Sequence, residues 1–343
     1  MSKLHSILLF TLLTSLSFAA QSNDGKGKVL VTAENFARAE SDMYFSNIVK
    51  NNGFSKYYHT REVTPIDQQN IIRLNRDTLY SAAVFDLDAG SVTIELPESN
   101  NRFISMQIID ENQYTHGVYY DSGKYVLDKK DIGTRYVAAP IRILVNPNDP
   151  NDIREAHKIQ DEIKISQKSR GEFIIPEWDV VSQNKVRNAL LTLGSTLTDT
   201  RRMYGDKEHV DPVRFLIGSA IGWGANPEKE ALYLNVTPPL NDGKTIYKLN
   251  VNKVPVDGFW SISVYNKAGF YEKNKENSYT LNNITSKKGS DGSVNIQFGG
   301  CTKYISNCIP IMDGWNYMVR LYRPSEDVLS GKWRFPEAIP FNK

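Results

Sequence analysis

Short runs rich in β-branched and aromatic residues fall in two separate blocks of this sequence, and helical periodicity fills the stretch between them. That segregation constrains the fold most. In the first block the runs are 77–86, 91–96, 102–110 and 135–145, broken by Ala89-Gly90, Pro97 and Ser99-Asn100-Asn101. In the second they are 247–251, 259–265, 293–298 and 317–322, with Asp257-Gly258, Asp291-Gly292 and Asp313-Gly314 placed before strands. Such punctuation marks antiparallel sheets with tight connections. Strands kept apart from helices argue for a mostly β, α+β protein or a pair of sandwiches, and against a doubly wound parallel sheet.

The helical signals have their own punctuation. Thr32 is placed to cap a first helix near 33–50, with Gly53 to end it. The turn cluster Asn146-Pro147-Asn148-Asp149-Pro150-Asn151-Asp152 closes the first β block, and Asp152 is read as the cap of a helix carrying Ala156, Ile159 and Ile163 on one face. Ser182 is read as the cap of the next, whose apolar face is Val186, Ala189, Leu190, Leu193 and Leu197. Asp211-Pro212 opens a third, with proline at the first helical position, and Pro227-Glu228 a short fourth.

At the N-terminus one lysine, Lys3, precedes the apolar run 7–16, too short for the roughly 20 residues that span a bilayer. Small residues follow in Ser17-Phe18-Ala19, so cleavage before Ala20 is expected, with a periplasmic or secreted destination. The expected organisation is a signal peptide at 1–19, an N-terminal helix and first β domain at 20–150, a helical insert at 151–240 and a second β domain at 241–343. No later segment is long and apolar enough to cross a membrane. With 41 Lys+Arg against 39 Asp+Glu, the chain has no electrostatic pull toward nucleic acid. The two cysteines, Cys301 and Cys308, suit a loop-stapling disulfide in an oxidising compartment. Their spacing is not that of thiol oxidoreductases. No histidine lies nearby to complete a zinc site, and no metal or cofactor is expected.

Several segments resemble a known pair of families. Phe259-Trp260-Ser261-Ile262-Ser263-Val264-Tyr265, Asn277-Ser278-Tyr279-Thr280-Leu281, Asp291-Gly292-Ser293-Val294, Asn307-Cys308-Ile309-Pro310, Arg320-Leu321-Tyr322-Arg323-Pro324 and Gly331-Lys332-Trp333 follow the order of the domain-of-unknown-function 1214 family. Ser278 stands where that family usually has arginine. Asn75-Arg76-Asp77-Thr78-Leu79-Tyr80-Ser81, with Arg102-Phe103, Gln107 and Asp110, is similar to the partner family, domain of unknown function 1254. The resemblance implies jelly-roll-like sandwich domains and export, and no reaction.

Chemistry-bearing residues gather in three places. In Asn75-Arg76-Asp77-Thr78-Leu79-Tyr80, Asp77 reads as a general acid or base and Arg76 as an anion clamp, or both serve as a turn cap and a structural ion pair. In Asp110-Glu111-Asn112-Gln113-Tyr114-Thr115-His116-Gly117, a carboxylate and a histidine can relay a proton or, with further ligands, hold a metal, or the segment is a solvated loop. His59, His157 and His209 share no metal-binding spacing with His116. Trp260, Tyr265, Tyr271, Trp315, Tyr317 and Tyr322 form either an aromatic wall for a sugar or flat ligand, or part of the core. Nucleophile-elbow and phosphate-loop motifs are absent. Catalysis is therefore expected of Asp77, Asp110 and His116, and substrate binding of Asn75, Arg76, Tyr80, Gln107, Trp260 and Tyr265. Three functions fit: a hydrolase-like enzyme on a small or saccharide-like substrate, a ligand-binding module without turnover, and a structural or assembly protein. The enzyme reading requires Asp77 and Asp110 to meet in one cleft.

Overall fold

The computed structural model of the protein describes residues 27–341 apart from 70 and 198, so the expected signal peptide lies outside the described residues. It is mostly β, with several antiparallel sheets in two sandwich-like units and helices at the start and middle.

Helix α1 (Phe36–Lys50) leads into the first unit. Its strands are β1 (Tyr58–His59), β2 (Thr78–Ala82), β3 (Val84–Asp86), β4 (Val92–Leu96), β5 (Ile104–Asp110), β6 (Thr115–Tyr119) and β7 (Gly123–Leu127). The short helix α2 (Lys129–Ile132) then precedes β8 (Tyr136–Ala138) and β9 (Ile141–Leu144). Helix α3 (Pro150–Asp161) and β10 (Lys164–Gln167) complete it. The main sheet runs β1-β2-β9-β5-β8-β3, with β6 on the other edge of β5. A small sheet, β10-β4-β7, lies against it, and Val92, Ile94, Ile104, Met106, Ile108, Ile141 and Ile143 close the core with Ile153, Ala156 and Ile159 of α3. Asp149, not Asp152, caps α3, because Asp152 is taken by the Arg102 guanidinium at 2.6 Å.

Helices α4 (Val180–Gly194) and α5 (Pro212–Ile221) pack on α1 around Phe36, Ala39, Leu190, Met203 and Ile217. Asp179, not Ser182, caps α4, and its carboxylate accepts the Ser182 N–H. Asp211 and Pro212 open α5 as expected. Pro227-Glu228 starts a turn rather than a helix, because the chain feeds straight into a strand.

The second unit consists of β11 (Ala231–Val236), β12 (Tyr247–Val251), β13 (Trp260–Tyr265), β14 (Thr280–Asn282), β15 (Val294–Phe298), β16 (Cys308–Ile309) and β17 (Asn316–Tyr322), then the short helix α6 (Glu326–Leu329) and β18 (Ile339–Pro340). Sheets β11-β17-β13-β14 and β16-β15-β12-β18 enclose Tyr247, Ile262, Phe298, Trp315, Tyr317 and Val319. A disulfide joins Cys301 and Cys308. The stretch 151–240 is thus not helical throughout: β10 pairs with β4 of the first unit and β11 with β17 of the second.

β5 and β17 are buried along their whole lengths. Side chains alternate along a strand. Tyr317, Val319 and Leu321 therefore fill the second core, while Asn316, Arg320 and Tyr322 turn toward the first unit. That second face makes the seam between the units.

Candidate functional site

Asp110 ends β5, and the tight turn after it returns the chain as edge strand β6. The turn is held by Asp110 itself. Its Oδ1 accepts the N–H groups of Asn112 at 2.8 Å and Tyr114 at 2.9 Å, and Gln113 takes the left-handed backbone, φ 73°. Its Oδ2 faces His116 Nε2 at 3.0 Å. The carboxylate side chain is 5% exposed and the imidazole 28%. The carboxylate already accepts two backbone N–H groups, so the proton of the neutral ring belongs on Nε2 and Nδ1 carries the basic lone pair.

His116 lines a pocket of about 430 Å³ with Thr115, Gly117 and Tyr119. Its other wall comes from the connector between α4 and α5 and from the turn before β11: Arg202, Tyr204, Asp206, His209, Glu228, Lys229 and Glu230. The Thr115 N–H donates to Gly205 O at 2.9 Å, fixing the connector over the edge strand. A second pair, His209 Nδ1 and Asp206 Oδ1 at 2.7 Å, stands on that wall. Partial burial pushes the Asp206 carboxyl up, but hydrogen bonds from His209 and Glu208 hold it below the ordinary value. Arg202 holds a left-handed backbone, φ 56°, and its N–H donates to Glu228.

Asp77 lies elsewhere. It is fully buried, its Oδ1 accepts from Asn282 Nδ2 at 3.0 Å and Thr280 Oγ1 at 3.2 Å, and its Oδ2 has no hydrogen-bond partner among the described residues. Its carbonyl accepts the Val145 N–H, and Leu144 N–H donates to Phe103 O, which puts Asp77 level with the start of β5. Asp110 is at the far end of that strand, about 20 Å away at ordinary strand rise. The expected meeting of Asp77 and Asp110 in one cleft is therefore corrected. Register sets them at opposite ends of the same sheet.

Several of the remaining expected residues gather by two buried arginines at the seam, to which the sequence reading gave no role. Arg142 of β9 donates to Gln107 Oε1 at 3.1 Å, Asn226 Oδ1 at 3.4 Å and Gly224 O at 3.3 Å, and lies 5.6 Å from the Tyr80 ring centre. Gln107 Nε2 donates to Thr115 Oγ1 at 3.1 Å, so this network reaches the pocket floor. Asn75 Nδ2 donates to the Tyr80 and Tyr322 hydroxyls. Arg320 of β17 takes Tyr265 and the carbonyls of Arg73 and Leu74. Arg76 donates to Thr64 O and sits over the Tyr279 ring. Trp260 joins neither group: it packs by Phe335 in the second core. Burial pushes the Tyr322 and Tyr271 hydroxyls well above the ordinary phenol value. Both arginines sit mid-strand among apolar residues, Ile141-Arg142-Ile143 and Val319-Arg320-Leu321, and a charge in such a place is the signal that marks them. Among the described residues no group of three or more His, Cys, Asp or Glu is placed to hold a metal.

A larger open cleft, about 1060 Å³, runs between the units past Arg102, Phe103, Tyr120, Asp257, Asn283 and Arg323.

Two family models match separate stretches of the chain. Residues 54–167 match the family model described as "Protein of unknown function (DUF1254)", and residues 237–326 match "Protein of unknown function (DUF1214)". No curated protein matches the chain. The crystal structure of the VPA0106 protein from Vibrio parahaemolyticus is similar over 90% of this chain and 98% of its own, with a TM-score of 0.70 and 17% identity, a likeness of fold. A putative uncharacterized protein from Burkholderia cenocepacia aligns over 90% of this chain and 88% of its own, at a TM-score of 0.49 and 11% identity.

Proposed function

We propose that this chain, with its DUF1254 and DUF1214 regions in series, is an exported hydrolase-like enzyme that activates water with the Asp110–His116 pair against a small substrate. One observation carries the reading: a buried carboxylate, fixed by two backbone N–H groups, holds a part-exposed histidine on the wall of a 430 Å³ pocket. Nδ1 of His116 takes a proton from water as the water attacks an electrophilic carbon, and Asp110 stabilises the imidazolium that forms. Arg202 and Lys229 supply positive charge for the developing oxyanion, and the Asp206–His209 pair stands ready to protonate the leaving group. With Asp77 far from Asp110, the two-carboxylate geometry of glycoside hydrolysis loses its support, and a small ester is the better substrate class.

Kinetics on a panel of chromogenic esters and glycosides test this. We expect His116→Gln and Asp110→Asn each to lower kcat/KM by about 10²–10⁴ with the fold intact. Unchanged turnover in His116→Gln sinks the reading, as does a wild-type protein inert across the panel. Export rests on the leader and is compatible with the Cys301–Cys308 disulfide. N-terminal sequencing of the protein from a periplasmic or culture fraction should begin at Ala20; a chain that keeps Met1 in the cytosol removes the export claim.

A further inference from the structure

The surroundings of Arg142 have more hydrogen-bond donors than acceptors. The residue is 8% exposed, and no carboxylate of the described residues comes within 4.0 Å of its guanidinium. Three neutral oxygens, on Gln107, Asn226 and Gly224, accept from its two terminal nitrogens, and the Tyr80 side chain beside it adds a further hydrogen-bond contact and a ring face at 5.6 Å, all of them neutral. Glu230, on the neighbouring turn, is taken by the Tyr120 hydroxyl at 2.5 Å. Around the guanidinium stand Tyr80, its cross-strand partner, and Tyr233 and Tyr322 from the second unit. Asn75 Nδ2 donates to the Tyr80 oxygen at 3.3 Å and to the Tyr322 oxygen at 3.0 Å, so both phenols serve as acceptors there. Their own protons, and that of Tyr233, have no acceptor among the described residues.

A buried cation ordinarily has an ionic partner, because taking charge out of water is costly without one. Here the fold supplies only neutral acceptors and adds phenol protons facing the same charge. Burial keeps the Tyr322 proton on its oxygen, so it is a donor at neutral pH. Tyr80, Tyr233 and Asn75 are only half-buried.

We infer that Arg142, with the hydroxyls of Tyr80, Tyr233 and Tyr322, is a binding site for a compact oxyanion, the carboxylate or phosphate group of a small molecule held at the seam. The anion takes Nε–H and a terminal N–H of the guanidinium and accepts the phenol protons. The site draws side chains from both units, so its occupant bridges them. It does not depend on His116.

Titration calorimetry and thermal melts with inorganic phosphate and with acetate, against sodium chloride of equal ionic strength, test the site. Wild-type protein should bind one of these anions and melt higher with it than in chloride. Tighter phosphate binding marks a phosphoryl ligand, tighter acetate binding a carboxylate, and either supports the site. Arg142→Gln should raise the half-saturating concentration at least tenfold, and Tyr80→Phe about threefold, while His116→Gln leaves it unchanged. Absence of anion-specific binding by the wild type, or equal affinity in Arg142→Gln, overturns the proposal. Should Arg142→Gln fail to fold, Tyr80→Phe and Tyr233→Phe decide it, and unchanged affinity in both is fatal.

Discussion

The two buried arginines at the seam face each other's unit, yet their surroundings differ in kind. Arg320 is 2% exposed and donates to four oxygens: Tyr265 at 2.6 Å, Arg73 O at 2.8 Å, Ser263 at 2.9 Å and Leu74 O at 3.3 Å. The nearby phenol protons are spent as well, since Tyr265 and Tyr271 both donate to Leu74 O, at 2.8 and 2.9 Å. Arg142 has three longer bonds and a contact to the Tyr80 hydroxyl, and the phenols around it have protons with no acceptor among the described residues. One nest is closed on itself and ties a strand of the second unit to the loop before β2. The other is left incomplete by the protein. The contrast separates architecture from recognition without reference to any reaction.

Removing each charge should make the difference measurable. Arg320→Gln strands a set of short hydrogen bonds in a sealed interior and should cost about 3–5 kcal/mol in denaturant unfolding. Arg142→Gln removes a cation whose neutral partners can pair with the new amide, and in anion-free buffer its cost should stay within about 1 kcal/mol. Equal costs would break the comparison and make Arg142 a second structural tie.

Much of this was legible in the sequence, and what escaped has a physical reason. The strand blocks stood out because turn residues punctuate them, and the cysteine pair because only two cysteines exist. Asp110 and His116 stand six residues apart in one polar stretch, and the fold sets their side chains 3.0 Å apart, while Asn75, Tyr80 and Gln107, named from separate segments, gather around Tyr80 and Arg142. Asp77 misled because a polar residue before a strand looks alike whether it faces solvent or is sealed under Thr280 and Asn282, which lie some two hundred positions later. Arg142 drew no notice and Arg320 only as part of a family motif, and neither was given a role. Only the meeting of two sheets, a long-range fact, buries their side of the strand. The capping errors are local: Asp149 and Asp179 each precede a helix by one residue, and the polar residue three further on imitates a cap.

A buried acid extends the comparison to the helical region. Asp42 of α1 accepts the Trp178 Nε1–H at 2.8 Å through Oδ2, while its Oδ1 has no hydrogen-bond partner among the described residues. Burial pushes its carboxyl up from 3.8 to about 6; Glu111 adds to the push, while the Trp178 bond and Arg38 oppose it. The folded state therefore holds this proton more tightly than the unfolded chain. Its contribution to stability is present below about pH 4, fades as pH rises toward 6 and is absent above. Asp42→Asn removes the penalty, so above pH 6 the variant should be more stable by up to about 3 kcal/mol, with the gain vanishing near pH 4. Melting curves across that range decide it. A pH-independent difference would mean that Asp42 is as well satisfied as Arg320.

The finest test exchanges single hydroxyls. Tyr265 Oη accepts from Arg320 and donates to Leu74 O, so Tyr265→Phe loses one charge-assisted bond and one neutral bond, and about 1–2 kcal/mol should go with them. Among the described residues Tyr322 Oη accepts only from Asn75, whose amide also reaches Tyr80, so Tyr322→Phe should cost about 0.5 kcal/mol or less in chloride buffer. The two variants should then diverge when phosphate or acetate is added. The anion's stabilising effect should survive intact in Tyr265→Phe and shrink in Tyr322→Phe, because only the second phenol has a proton left to donate. An anion effect that shrinks equally in both would place the ligand away from Arg142 and reduce the contrast between the two nests to a difference in bond length.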